Sequence, residues 1–88
     1  MISENEKEII IQCARKYNVS LIYLFGSAVN SKEYNDIDLA IKGIKPELFF
    51  KFYGELLNNL TKPVDLIDLS DESLFNQIIQ EKGVKILG

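Results

Sequence analysis

Asp36 and Asp38 stand one residue apart in Asp36-Ile37-Asp38-Leu39-Ala40-Ile41, a run that is otherwise apolar. So short a run, rich in branched side chains, reads as a strand, and side chains two apart on a strand project from one face. The two carboxylates therefore point into one space, which is unfavourable unless a proton or a cation lies between them. Hard divalent cations prefer such oxygen ligands, and Mg²⁺ commonly takes one or two carboxylates plus substrate phosphates. Asp65 supplies a third acid, inside Pro63-Val64-Asp65-Leu66-Ile67-Asp68-Leu69, where a purely structural strand would carry Val or Ile. If the two strands are neighbours, Asp36, Asp38 and Asp65 can surround a pair of Mg²⁺ ions roughly 3.5–4 Å apart. Asp68, three residues on, falls on the opposite strand face and is expected at the surface or capping the next helix.

The rest of the chain supplies the scaffold. Ser3-Glu4-Asn5-Glu6 is a capping box, and Ile10, Cys13, Ala14 and Tyr17 recur at helical spacing, so a first helix is expected to about Lys16. Asn18 can end it in the left-handed conformation. Ser20–Phe25 then reads as a strand, and Gly26-Ser27 as a turn at its mouth where backbone N–H groups can approach phosphates. No helix is expected from there to Asn35, and the Asp36 strand should run to about Lys42. Pro46 suits a first helical position, and Leu48, Phe52, Leu56 and Leu60, joined by Phe49, Tyr53 and Leu57, give a second helix an apolar face wide enough for two burial partners. After the Asp65 strand, Ser70, Asp71 and Glu72 should start a third helix with Leu74, Phe75, Ile78 and Ile79 as its buried stripe. Gly83 stops it, and Val84–Leu87 is a last strand. The order implies one domain over residues 1–88, an α/β mixed sheet of about four strands with three helices packed on it.

Composition narrows the function classes. With 88 residues the core is small, burying about 60–65% of the surface of the unfolded chain, so a partner would help it. A formal charge of −3 argues against electrostatic capture of nucleic acid, and any triphosphate would need a metal between it and the protein. Cys13 is the single cysteine, with no histidine to join it, and is expected in the core. No long apolar run suggests a membrane anchor, so the cytoplasm is the expected compartment. The aromatics Phe49, Phe50, Phe52 and Tyr53 read as packing or an interface rather than a stacking platform.

A Gly-Ser turn, then Asp-x-Asp on the next strand, then a lone Asp on a later one, resembles the nucleotidyltransferase superfamily that includes the DNA polymerase β palm. The small size, element order and Gly-Val-Lys-Ile-Leu ending are similar to its minimal nucleotidyltransferase branch, whose members are encoded beside a helical HEPN-domain protein. The resemblance implies transfer of a nucleoside monophosphate, AMP from ATP or another NTP, to a hydroxyl acceptor, which in antitoxin members is a tyrosine of the HEPN partner. It implies that Asp36 and Asp38 hold both Mg²⁺ ions, that Asp65 holds the catalytic one and accepts the acceptor proton or assists its loss, and that Gly26 and Ser27 cradle the β and γ phosphates. The family's common Gly-Ser-Arg-Ala-Arg-Gly turn is here Gly26-Ser27-Ala28-Val29-Asn30-Ser31, without the arginines that would grip phosphates bidentately. Lys32 and Lys42 are the candidates to replace that charge.

A second reading is a binding module that keeps the fold, lacks turnover and neutralises or scaffolds a helical partner by contact, with a homodimer as a further assembly left open. The same residues also have structural readings: Gly26 as a strand-ending glycine, Ser27 as a turn cap, Asp36 in an Asx turn after Asn35, and Asp65 paired with Lys62.

Overall fold

The computed structural model describes residues 1–71 and 73–88. Helix α1 (Glu4–Lys16) begins as its capping box dictates. The Ser3 N–H donates to Glu6 Oε1 at 2.9 Å and the Glu6 N–H donates to Ser3 Oγ at 3.1 Å, which satisfies donors a helix start leaves open. It ends where Asn18 takes a φ of 57°. Strands β1 (Leu21–Phe25), β2 (Ile37–Lys42), β3 (Val64–Asp68) and β4 (Val84–Leu87) form one sheet in the order β3-β2-β1-β4. β1 is antiparallel to β2 and β4, whereas β2 and β3 are parallel, joined by α2 (Phe49–Asn59) as their crossover. This is the mixed four-strand, three-helix fold that the apolar runs imply.

The two faces of the sheet are unequal. Ile22, Leu24, Ile37, Leu39, Ile41, Val64 and Leu66 point to one side, where Ile10 and Ala14 of α1 and Phe52 and Leu56 of α2 complete the main core. The alternate residues point the other way. There Ala40 packs with Leu69 and with Ile79 of α3 (Leu74–Lys82), flanked by Tyr23, Phe25 and Ile67. One face is thus closed by two helices and the other only partly covered by one short helix.

Several local expectations are corrected. β2 begins at Ile37, so Asp36 lies just before the strand rather than in it. Gly26–Val29 makes a 3₁₀ turn, and another, Pro46–Leu48, precedes α2. α3 starts at Leu74, after Ser73, whose Oγ accepts from the Asn76 N–H at 3.1 Å, and not at Ser70 and Asp71. Asp71 is engaged instead by the buried Asn76, whose Nδ2 donates to its side chain and backbone carbonyl. Glu72, expected at that helix start, lies outside the described residues. Of the stripe expected to be buried on α3, only Ile79 is; Leu74, Phe75 and Ile78 are 72%, 56% and 44% exposed. A 3.6-residue period says which side chains share a face, not how much of that face a neighbour covers. On α2, Phe52 and Leu56 are fully buried and Phe49 and Tyr53 pack against the core, but Phe50 and Leu57 face solvent. Cys13 is buried in the main core, and burial pushes its thiol above the usual range. Among the described residues no helix is long and apolar enough to cross a membrane.

The loop between the 3₁₀ turn and β2 is tied to α1 by a polar cluster. The Tyr34 hydroxyl donates to Glu6 Oε1, Lys62 Nζ lies 3.7 Å from Glu6 Oε2 and 3.7 Å from the Tyr34 ring centroid, and the Met1 ammonium donates to the Ser31 carbonyl at 3.0 Å. Lys62 is therefore engaged away from Asp65. Burial raises the Glu6 pKa, but hydrogen bonds from Tyr34 and Ser3 and the charge of Lys62 outweigh it and leave the carboxyl below its usual 4.5. A depressed carboxylate contributes stability above the unfolded-state pKa and loses it as pH falls through the folded value. Urea melts from pH 7 down to pH about 3 are expected to show wild-type stability falling below pH about 4.5, and Glu6→Gln, less stable at neutral pH, falling less steeply.

Candidate functional site

Parallel pairing of β2 and β3 sets Asp38 directly opposite Asp65, and antiparallel pairing of β1 and β2 sets Phe25 opposite Asp38. Both acids alternate with Ala40 and Ile67 and so point to the partly covered face. Asp38 is half-buried and Asp65 is exposed. Partial burial pushes the Asp38 carboxyl above the ordinary carboxylate range, and the adjacent Asp65 and the charge of Asp36 push it the same way. Like charges held together are poorly tolerated in the ionised state, so the site as folded is short of positive charge.

Gly26 follows Phe25 and turns the chain across this pair. Its φ is 76°, a conformation that L side chains rarely adopt, and a Cβ there would overlap Asp38 Oδ2 and lie 3.3 Å from Asp38 Cβ. Glycine is thus required both by the backbone and by the carboxylate resting against it. Ser27 is exposed in the 3₁₀ turn; its carbonyl accepts from the Ser31 N–H at 3.2 Å, and its hydroxyl makes no hydrogen bond among the described residues.

The five candidate positions are not equally joined. Asp38, Asp65 and Gly26 touch or pair, and Asp36 and Ser27 flank them from exposed loop positions. Among the described residues no group of three or more His, Cys, Asp or Glu side chains is arranged to hold a metal ion. Asp36, ahead of the ladder, is not clamped by strand pairing as the other two are. Asp68 is at the surface, and its Oδ1 accepts from the Ser70 N–H at 2.9 Å. Of the cations proposed for the missing arginines, Lys42 sits four residues along β2 from Asp38, about 13 Å away. Lys82 was not singled out from sequence, yet it lines a pocket of about 280 Å³ together with Gly26, Phe25, Phe75 and Ile78. Its position at the end of α3, just before the helix-stopping Gly83, is the signal that could have drawn attention to it. A second groove of about 300 Å³, between α1 and α2, is lined by Cys13 and by Lys16 and Glu55, which pair at 2.5 Å, and lies behind the sheet from the acids.

The family model of the polymerase beta nucleotidyltransferases matches residues 7–88. The chain belongs to the polymerase β nucleotidyltransferase family. Comparison with curated proteins finds no match by sequence. Solved structures similar to this nucleotidyltransferase chain include a toxin-antitoxin complex with AMP-PNP, at 28% identity and a TM-score of 0.77, covering 93% of this chain and 73% of that one. Another is the tri-AMPylated HEPN toxin of Shewanella oneidensis in complex with its MNT antitoxin, at 28% identity and a TM-score of 0.76, over 99% of this chain and 73% of that one. A third is a variant of the MntA-HpeT toxin-antitoxin, with two aspartates two positions apart replaced by glutamates, at 26% identity and a TM-score of 0.76. It covers 93% of this chain and 72% of that chain. The mixed sheet with its three helices is that of the nucleotidyltransferase fold.

Two outcomes follow from the packing of Gly26 and Asp38. Removing the Asp38 charge relieves the repulsion, so Asp38→Asn is expected to melt at a higher temperature than wild type in EDTA at pH 7, measured by scanning fluorimetry. Gly26→Ala is expected to cost about 1–2 kcal/mol in urea unfolding from the left-handed backbone alone. Part of its further cost should disappear when it is combined with Asp38→Ala, which makes room for the methyl group.

Proposed function

We propose that the chain is a nucleotidyltransferase that passes AMP from ATP to a hydroxyl, the tyrosine of a small helical HEPN-type partner. The observation that carries this reading is the Asp38–Asp65 pair, set in register on parallel strands with Gly26 flush against it. The family supports it, as do the similar chains seen with AMP-PNP and with an AMPylated HEPN toxin. In this reading residues 1–88 act as one domain in the cytoplasm, where Cys13 stays a free thiol.

The donor set is all oxygen and short of positive charge, which fits a hard divalent cation. Asp36 and Asp38 would hold two Mg²⁺ ions and Asp65 one of them; when bound, they supply neutralisation of the triphosphate charge. The Gly26–Ser27 turn, with an unengaged hydroxyl and backbone N–H groups free of a side-chain barrier, receives the β and γ phosphates. The acceptor oxygen bonds to the α phosphorus as the bond to the bridging oxygen breaks; pyrophosphate leaves, and the acceptor proton passes to Asp65 and then to water. Positioning and charge complementarity supply most of the acceleration in such chemistry.

The arginine-free turn favours a second reading, a module that neutralises its partner by contact without turnover. Incubation with Mg²⁺, α-labelled ATP and a HEPN partner separates the two. Label on a partner tyrosine, lost by at least about a hundredfold in Asp36→Asn/Asp38→Asn, is expected for the enzyme. Absence of label with every nucleotide, together with undiminished toxin neutralisation by that double variant, would establish the contact module instead.

A further inference from the structure

Asp36 is the one acid of the three that lies outside a strand, yet the chain on both sides of it is anchored to a single segment. On its C-terminal side the Ile37 N–H donates to the Pro63 carbonyl at 2.9 Å, at the mouth of the parallel ladder. On its N-terminal side Tyr34 is half-buried against the main core, and Lys62 Nζ stands 3.7 Å from its ring centroid. Only Asn35 and Asp36 lie between these two anchors. Lys62 and Pro63 are consecutive, and Asp65 follows Pro63 by two residues, opposite Asp38. The segment 62–65 thus carries the reference points for all three acids. The far end of the Tyr34 side chain is fixed as well. Its hydroxyl donates to Glu6 Oε1, which also accepts from the Ser3 N–H at 2.9 Å, and Glu6 Oε2 lies 3.7 Å from Lys62 Nζ. The Glu6 side chain is only 12% exposed, and it belongs to the capped start of α1, which gives the contact a firm base.

We propose that Tyr34 is a positioning residue, held by Lys62 and Glu6 so that Asp36 stays beside the Asp38–Asp65 pair and presents a third carboxylate to a divalent cation. The inference rests on the nucleotidyltransferase reading for its chemical purpose. Asp36 is exposed and its side chain makes no hydrogen bond among the described residues, so the backbone on either side must set its place. Without a cation, repulsion favours movement of Asp36 away from Asp38, whose carboxyl feels its charge. An anchor two residues back opposes that drift, and the bound cation removes the repulsion the anchor works against. A lysine over a partly desolvated ring and a hydroxyl bonded to a carboxylate are both among the stronger polar contacts a loop can make. Groups that orient a metal ligand from behind commonly change metal affinity by about 10–100-fold when they are lost.

Mn²⁺ titrations followed by electron paramagnetic resonance, alone and with a non-hydrolysable ATP analogue, test this on a mutant cycle of Tyr34→Leu and Asp36→Asn. Tyr34→Leu is expected to weaken Mn²⁺ by about tenfold in the wild-type background and to have no effect in the Asp36→Asn background, because only Asp36 depends on the anchor. Lys62→Met keeps the apolar stem and is expected to behave in the same way, whereas Lys62→Arg retains wild-type affinity. The lysine cycle carries the test should Tyr34→Leu not fold. In the metal-free protein, heteronuclear Overhauser values at residues 35 and 36 should fall in Tyr34→Leu while those of β2 and β3 stay as in wild type. An equal loss of Mn²⁺ in both backgrounds would show a merely structural residue, and unchanged affinity in both Tyr34→Leu and Lys62→Met would show an idle contact; either overturns the proposal. Failure of the wild type to bind Mn²⁺ under either condition overturns it too. Coupled loss of Mn²⁺ in a protein that transfers no AMP would establish the positioning role and remove only the transferase reading.

Discussion

The molecule depends on the parallel pairing of β2 with β3. A parallel pair needs a crossover of a dozen or more residues, and here α2 provides it, resting Phe52 and Leu56 on the closed side of the sheet. Register follows from burial: Ile37, Leu39, Val64 and Leu66 must face the helices, because a slip of one residue would turn the whole apolar set outward. With those residues inside, Asp38 and Asp65 have to point to the other face, side by side. The carboxylate pair is thus a consequence of the core, held by the same ladder bonds that hold the strands.

That arrangement leaves the sheet lopsided. α1 and α2 close one face with a continuous apolar cluster, while α3 touches the other chiefly through Ile79 over Ala40 and Leu69. The small Ala40 side chain adds little bulk to the contact, and the outer apolar residues of α3 stay exposed. In an 88-residue chain with a modest core, an open face bearing acids, aromatics and a glycine turn is costly to keep unless something binds there.

Electrostatics on that face points the same way. Asp38 carries burial and two neighbouring negative charges, and the nearest turn holds no arginine to offset them. Lys62 serves Glu6 and Tyr34, and Lys42 occupies the far end of its strand. Lys82, distant in sequence, lines a pocket with Gly26 at the start of the turn.

The sequence by itself determined the element order, the caps at Ser3 and Asn18, the glycine at the mouth of β1 and the presence of acids in two apolar strands. Each of these is written in local chemistry: a period of 2 or 3.6, a hydroxyl at a helix start, a residue free to take a positive φ. Only the tertiary structure decided that Asp65 lies opposite Asp38 while Asp36 stands outside the ladder, that Asp71 bonds Asn76 instead of starting α3, and that Phe75 and Ile78 face outward beside Lys82. Strand order and helix coverage are set by how separate segments compete for the same apolar surface, and no window of adjacent residues contains that competition.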